Sequence, residues 1–350
     1  MSVLVKARPG AAPRLTVLVC AAALVLSAAL GVVIGTADLS VATVFRAVAA
    51  QLGAETGIDT LTRHIVVDLR APRVAAAILT GAGLAVCGGV LQSLTGNPLA
   101  DPYLLGLSSG ALLGVSLSLF FGLGAAGVAG FGATSVAAFL GSLAALALVF
   151  ALASARTGAL PTSRLVLAGI AVGQLGSAVA SGLVLASDRD AARRITEWTL
   201  GSVAGARWNS LAVTASVVAV TLAVVLWYSR DLDSFAFGER AATSLGTDVA
   251  GVRRVLYCAV SLCTAVLVAQ AGIVGFVGLV VPHIARFLTG AGHLRLLPAS
   301  ALLGALLLVW TDVLCRSALP DRELPLGIVT AVLGVPVFVV LFRRRGGARG

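Results

Sequence analysis

The sequence predicts an all-α polytopic membrane protein of about ten transmembrane helices, arranged as two inverted five-helix halves. Three observations carry that expectation. The 350 residues are 59% hydrophobic and 11% charged, with a mean hydropathy of +1.03, whereas a soluble domain is about 45–50% apolar and about 25% charged. Apolar runs near the ~20 residues that cross a bilayer recur from end to end, with no polar linker long enough to divide the chain. The third and eighth runs are irregular at the same place in each half, and an odd number of spans per half makes the repeats inverted.

The expected spans are 15–34, 72–91, 104–121, 135–152, 165–185, 211–227, 255–271, 273–287, 296–314 and 326–342. Residues 15–342 then form one transmembrane domain, with a short segment 1–14 before it and a basic tail 343–350 after it. The first run follows Lys6, Arg8 and Arg14 as a signal peptide would. It is longer than the ~7–15 residues of a signal core, so it reads as an uncleaved helix.

Arg70 and Arg73 open the second run, three apart and so on one face of a helix, where snorkelling to headgroups is the simplest role. NPLADP, residues 97–102, follows. Asn-Pro and Asp-Pro form turns readily, but the helix start after them, LLGLSSGALLG, places Ser108, Ser109 and Gly110 at membrane depth. Non-helical backbone survives in a bilayer only where protein buries it or a water-filled cavity receives it, so the break points to a conduit between helices.

The fifth run carries Gln174, Ser177 and Ser181 beside Gly169 and Gly173, a small polar face suited to helix packing or to lining a path. Gly327, Thr330 and Gly334 make a similar stripe on the tenth. Between the sixth and seventh runs lies the polar segment FAFGERAATSLGTDVAGVRR, 235–254, with room for two short helices. Its Phe235, Phe237 and Leu245 sit poorly in water and suggest a protein partner. Asp312 is nearly alone as an intramembrane carboxylate and precedes Arg316 by four, the spacing of an intrahelical ion pair.

The net charge of +10 comes from basic residues scattered between apolar runs, not from the aromatic-interleaved patch of a nucleic-acid binder. With both termini cytoplasmic, the larger share of the 25 basic residues falls inside. The arginines left outside suit docking of an acidic partner. Cys20, Cys87, Cys258, Cys263 and Cys315 have no metal or redox spacing and read as small buried hydrophobes. His283 has no ligand cluster near it in sequence. The chain has no GxxxxGK[ST] loop, so ATP hydrolysis is assigned elsewhere. With no HExxH and no Ser/His arrangement on adjacent spans, an intramembrane enzyme ranks last.

Residues 69–114, PTSRLVLAG, the GE..A..LG pattern within 235–254 and GFVGLVVPHIAR together resemble the FecCD-like permeases of bacterial ABC importers for iron chelates, haem or cobalamin. The resemblance spans about residues 69–342 and implies the type II importer permease fold. It implies a homodimer in the bacterial inner membrane, in contact with lipid, working with two ABC ATPases and a periplasmic or lipid-anchored substrate-binding protein. Docking of that protein falls to Arg70, Arg73 and Arg316. A cytoplasmic gate falls to Asn97, Leu99, Thr162 and Ser163. The two small polar stripes, Gln174, Ser177, Ser181 and Gly327, Thr330, Gly334, fall around a channel between the two copies. Coupling to the ATPase falls to Phe237, Gly238, Glu239, Arg240, Ser244, Leu245 and Gly246. This chain is expected to hold no cofactor or metal, ATP and Mg being used by the ATPase. The LADPYLLG wording favours ferric siderophore as cargo, with haem or cobalamin as alternatives. An ion-coupled secondary transporter is the rival from another class.

Overall fold

The computed structural model describes residues 13–35, 39–51, 53–54, 57–123, 127–154, 162–319 and 322–346. The expectations for 1–12 and 347–350 lie outside the described residues. Every regular element among them is helical. In chain order these are α1 (Pro13–Val33), α2 (Val41–Gln51), α3 (Thr60–His64), a π-helical turn (Ile65–Arg70), α4 (Ala71–Thr95), a 3-10 turn (Pro102–Leu105), α5 (Leu107–Phe120), α6 (Gly127–Ala153), α7 (Thr162–Ala186) and α8 (Arg189–Thr199). They continue as α9 (Trp208–Trp227), α10 (Ser229–Ser234), a second 3-10 turn (Phe235–Phe237), α11 (Glu239–Ser244), α12 (Val249–Ala271), α13 (Val277–Thr289), α14 (His293–Ser317) and α15 (Leu326–Gly346).

Each of the ten expected spans finds a helix: α1, α4, α5, α6, α7, α9, α12, α13, α14 and α15. The second is longer than expected, because α3, the π turn and α4 run on as one apolar helix of 36 residues, Thr60–Thr95. The third and eighth are shorter, at 14 and 13 residues, since unwound backbone precedes each. α2, α8 and α10 are additional. α8 was hidden by its polarity: Asp188 caps it by accepting from the Ala191 N–H, Ala191 and Ile195 are buried, and its arginines face outward.

α4 packs on α14 and α13, as α12 packs on α6 and α5, and α5 pairs with α6 and α7, as α13 pairs with α14 and α15. Exchanging second with seventh, third with eighth, fourth with ninth and fifth with tenth maps these partnerships onto one another, as two inverted halves require. Backbones approach closely at the main crossings. A Cβ on Gly81 would lie 2.1 Å from the Gly304 carbonyl oxygen, and one on Gly110 would lie 2.4 Å from that of Gly141. Without a hydrophobic drive between helices in lipid, such contact is what holds them together. The face turned away from this core is apolar, with Leu167, Leu185, Val25 and Trp227 exposed. Four of the five cysteines are buried as expected, but Cys258 lies exposed on α12.

The alternating helices give the bundle two ends. A lower end carries the start of α1, the end of α4, α10, α11 and the starts of α12 and α14. An upper end carries the π turn, α8 and the end of α14.

Candidate translocation site

Two unwound breaks enter the bundle from opposite ends. The first follows α4, which stops at Gly96 in the left-handed region (φ 61). Asn97 then makes the turn its sequence predicts: its Oδ1 accepts the Leu99 N–H at 3.0 Å, and its carbonyl accepts the Ala100 N–H at 3.1 Å. Leu99 is left 40% exposed at the turn. Asp101 Oδ1 accepts from the Tyr103 N–H at 2.9 Å and opens the 3-10 turn, after which α5 begins. The second break, 272–276, leaves the upper end of α12 and closes with Phe276, a non-glycine residue at φ 67. The breaks meet inside the bundle, where the Tyr103 hydroxyl donates to the Val274 carbonyl and accepts from the Val274 N–H, each at 3.0 Å. Unwound backbone is thus satisfied by protein, as lipid demands.

Each break is flanked by the last helix of its half. Gly169 of α7 lies so near the first that a Cβ there would come within 2.0 Å of the Leu104 carbonyl oxygen. A cleft of about 300 Å³ opens beside it, with Asp101, Tyr103, Ser108, Ser109, Gln174 and Ser177 supplying its polar lining. Ser181 stands one turn beyond that lining, and its hydroxyl donates to the Ser177 carbonyl at 2.9 Å. Thr162 and Ser163 start α7 at the lower end, where the following Leu165 and Val166 face Thr95 and Asp101. On α15, Gly334 abuts the Phe276 side chain, Gly327 donates its N–H to the Leu200 carbonyl at 2.9 Å, and buried Thr330 donates to the Gly327 carbonyl. Within one protomer, this second stripe seals its break.

At the upper end, Arg73 reaches Asp312 Oδ1 at 2.8 Å through Nε and clasps Glu323 with two hydrogen bonds of 2.8 and 2.9 Å. Asp312 is 1% exposed, and Arg316 Nε lies 3.3 Å from its other oxygen, the pairing its spacing predicts. Arg316 also donates to the Gly31 carbonyl at 2.5 Å, and Arg70 donates to the Val32 and Val33 carbonyls at 3.0 and 2.7 Å. The last turn of α1 is therefore capped by two arginines, a favourable placement for cations. Arg70 ends the π turn, where the Ala71 N–H bonds to the Val66 carbonyl five residues back, and α geometry resumes from Ala71. Arg70 and Arg73 thus stand three apart at one helix end, Arg70 reaching α1 and Arg73 reaching α14. Neither snorkels to headgroups: Arg70 is 6% exposed and Arg73 is engaged by carboxylates. The hydrogen bonds from Arg73 hold the Glu323 carboxyl below its ordinary range.

At the lower end, the three apolar residues of the polar segment divide. Phe235 packs against the core under the Arg253 guanidinium, 5.6 Å from its ring centre, while Phe237 and Leu245 are 75% and 69% exposed. Gly238 and Gly246, both at φ 90, bound α11 between them. Glu239 pairs with Arg253; Arg240 and Ser244 are exposed.

The absence of a Ser/His arrangement on adjacent spans is overturned. His293 Nε2 lies 2.6 Å from Ser93 Oγ, and its Nδ1 lies 2.5 Å from Asp233 Oδ1. Beside it, Arg286 donates to Gln92 Oε1 at 2.5 Å. These partners are 60 to 200 residues apart in sequence, with no local signal joining them. Among the described residues, no group of three or more His, Cys, Asp or Glu side chains is placed to hold a metal.

A helical bundle of two inverted halves, with an unwound break in each and the breaks touching at its centre, defines a membrane permease. Residues 23–344 match the FecCD transport family, and the chain belongs to that family of ABC-importer permeases. It is 38% identical over 289 residues to the cobalamin import system permease of Halobacterium salinarum, covering 83% of this chain and 76% of that one. It is 36% identical over 282 residues to the hemin transport system permease of Yersinia pestis, covering 81% and 84%. Its fold matches that of a metal-chelate type ABC transporter in an inward-facing conformation, with a TM-score of 0.82 at 31% identity over 95% of this chain and 99% of the other.

Proposed function

We propose that this chain is the permease subunit of an ATP-driven importer of a metal chelate, with ferric siderophore as cargo. The observation that carries the reading is the family match over residues 23–344, supported by the pair of breaks joined at Tyr103 and Val274 beside a polar cleft. The relatives named for cobalamin and hemin favour a corrin or porphyrin chelate as the second reading.

Two copies enclose the route, and Gln174, Ser177 and Ser181 of each face it, with α15 alongside. Asn97 and Leu99, with Thr162 and Ser163 opposite, close its lower mouth. Two separate ATPases, using ATP and Mg, seat Phe237, Leu245 and the 238–246 turn in their surface. Their closure displaces this segment and exposes the route to either side in turn, the cargo passing unchanged. The lower end and both termini face the cytoplasm of a bacterial inner membrane. A substrate-binding protein docks at the upper end. There Arg73, through Asp312 and Glu323, and Arg70 and Arg316, through the carbonyls of α1, hold the shape of the mouth that the partner meets. The ion-coupled rival is less well supported, because Asp312 is already held between Arg73 and Arg316.

The test is uptake into vesicles holding the permease, its ATPase and the binding protein, with a ferric hydroxamate, haemin and cyanocobalamin offered separately. ATP-dependent uptake of one is expected. Replacing both Phe237 and Leu245 with Asp removes two apolar anchors worth about 1.5–3 kcal/mol each. That double change is expected to cut ATP-driven uptake at least about tenfold, since ~1.4 kcal/mol is a factor of ten. Uptake that needs no ATPase and collapses with an uncoupler would overturn the reading.

A further inference from the structure

Asp233, near the end of α10, and Ser93, in the last turn of α4, are joined through the first residue of α14. Asp233 Oδ1 accepts both the His293 backbone N–H, at 2.9 Å, and ring Nδ1, at 2.5 Å. Gly292, the residue at the cap position of α14, offers no side chain, so a carboxylate from another helix satisfies this orphan donor. The far ring nitrogen lies 2.6 Å from Ser93 Oγ, and the His293 side chain is only 6% exposed. A planar ring thus spans the two contacts with no rotatable bond between them. On the neighbouring face of the same turn, Gln92 Nε2 donates to the Gly278 and Leu279 carbonyls at 3.2 and 3.1 Å, and Gln92 Oε1 accepts from Arg286.

The order of groups matches a hydrolytic triad, but the backbone N–H groups of α4 around Ser93 are engaged within its helix. The placement speaks for mechanics. α4 ends soon after Ser93, and the turn bearing Leu99 follows at once. The 3-10 turn bearing exposed Phe237 begins two residues after Asp233.

We propose that Asp233, His293 and Ser93 form a strut of positioning residues that carries displacement of the 235–246 segment to the end of α4, and so to Leu99. The inference rests on the importer reading, and its test separates the two. The full transporter, with its ATPase and binding protein in vesicles, carries Leu99→Cys as reporter in a Cys258→Ser background. The rate of labelling by a membrane-impermeant maleimide is compared with and without ATP plus vanadate. A nucleotide-driven change of at least about fivefold is expected in the parent, the lower range of coupling between linked sites. Ser93→Ala and Asp233→Asn should each reduce that ratio to within about twofold, and Ser93→Thr, which keeps the hydroxyl, should restore it. A merely structural loss would change labelling with and without nucleotide alike and leave the ratio unmoved. An undiminished nucleotide response in both Ser93→Ala and Asp233→Asn would overturn the strut. A parent reporter with no nucleotide response would instead overturn the importer reading.

Discussion

The two ends of the bundle solve opposite problems with the same kind of break. At the upper end the break is five residues, sealed by α15, and neighbouring charges are drawn inward: Asp312 is held between Arg73 and Arg316, and two arginines cap α1. At the lower end the break is longer and a polar cleft opens beside it, with large apolar side chains, Leu99, Phe237 and Leu245, left exposed nearby. The ends differ in charge and in backbone, since large apolar side chains stand exposed at both, Phe45, Leu61 and Phe121 at the upper end. Such surface suits a partner at either end.

The contrast is sharpest in charge removal. Asp312→Asn leaves Arg316 without its carboxylate in the interior while Arg73 keeps Glu323, a change that costs about 3–5 kcal/mol. Glu239→Gln breaks the Arg253 pair at the lower end, where the glutamate is 56% exposed, and should cost under ~1 kcal/mol. Thermal unfolding of both variants in detergent checks the pair; equal losses would erase the distinction between the ends. Tyr103→Phe attacks the joint between the breaks. Both polar groups of Val274 lose a partner, so about 1–3 kcal/mol is expected, read in the same assay. The smallest effect concerns Glu323. Its folded carboxyl titrates below its unfolded value because Arg73 donates to it, so its stabilisation is present above the unfolded value and is lost as pH falls through the lower folded one. The group is 44% exposed, so screening limits the effect to under ~1 kcal/mol. Glu323→Gln should flatten that part of the acid dependence of the midpoint, and a curve identical to the parent's would show the clasp contributes nothing.

Hydropathy made all ten spans legible, and proline and glycine marked the two irregular ones, because lipid imposes length and apolarity on every crossing. The Asp312–Arg316 pair was legible for a similar reason: partners four apart on a helix meet with little need of tertiary structure. Other features had no local signature. The π turn that ends at Arg70 is a change of backbone with no mark in the sequence, and it packs on α2 and α1. The strut joins residues brought together only by the fold. α8 did carry signals, an N-cap Asp188 and a charged outer face, but a short polar helix lacks the long apolar run that marks a span. The α15 stripe was visible as small residues, yet its use inside the protomer depends on Phe276 and Leu200, which lie in loops.

The unbroken 36-residue helix has a mechanical corollary. At 1.5 Å per residue it is about 54 Å long, while the hydrocarbon layer is about 30 Å thick. Held near upright, it must stand clear of the lipid like a mast, stayed by α2 through Val44, Ala47 and Val66. A protein arriving from that side meets a rigid post ahead of the membrane surface, and its approach is set by the height of that post.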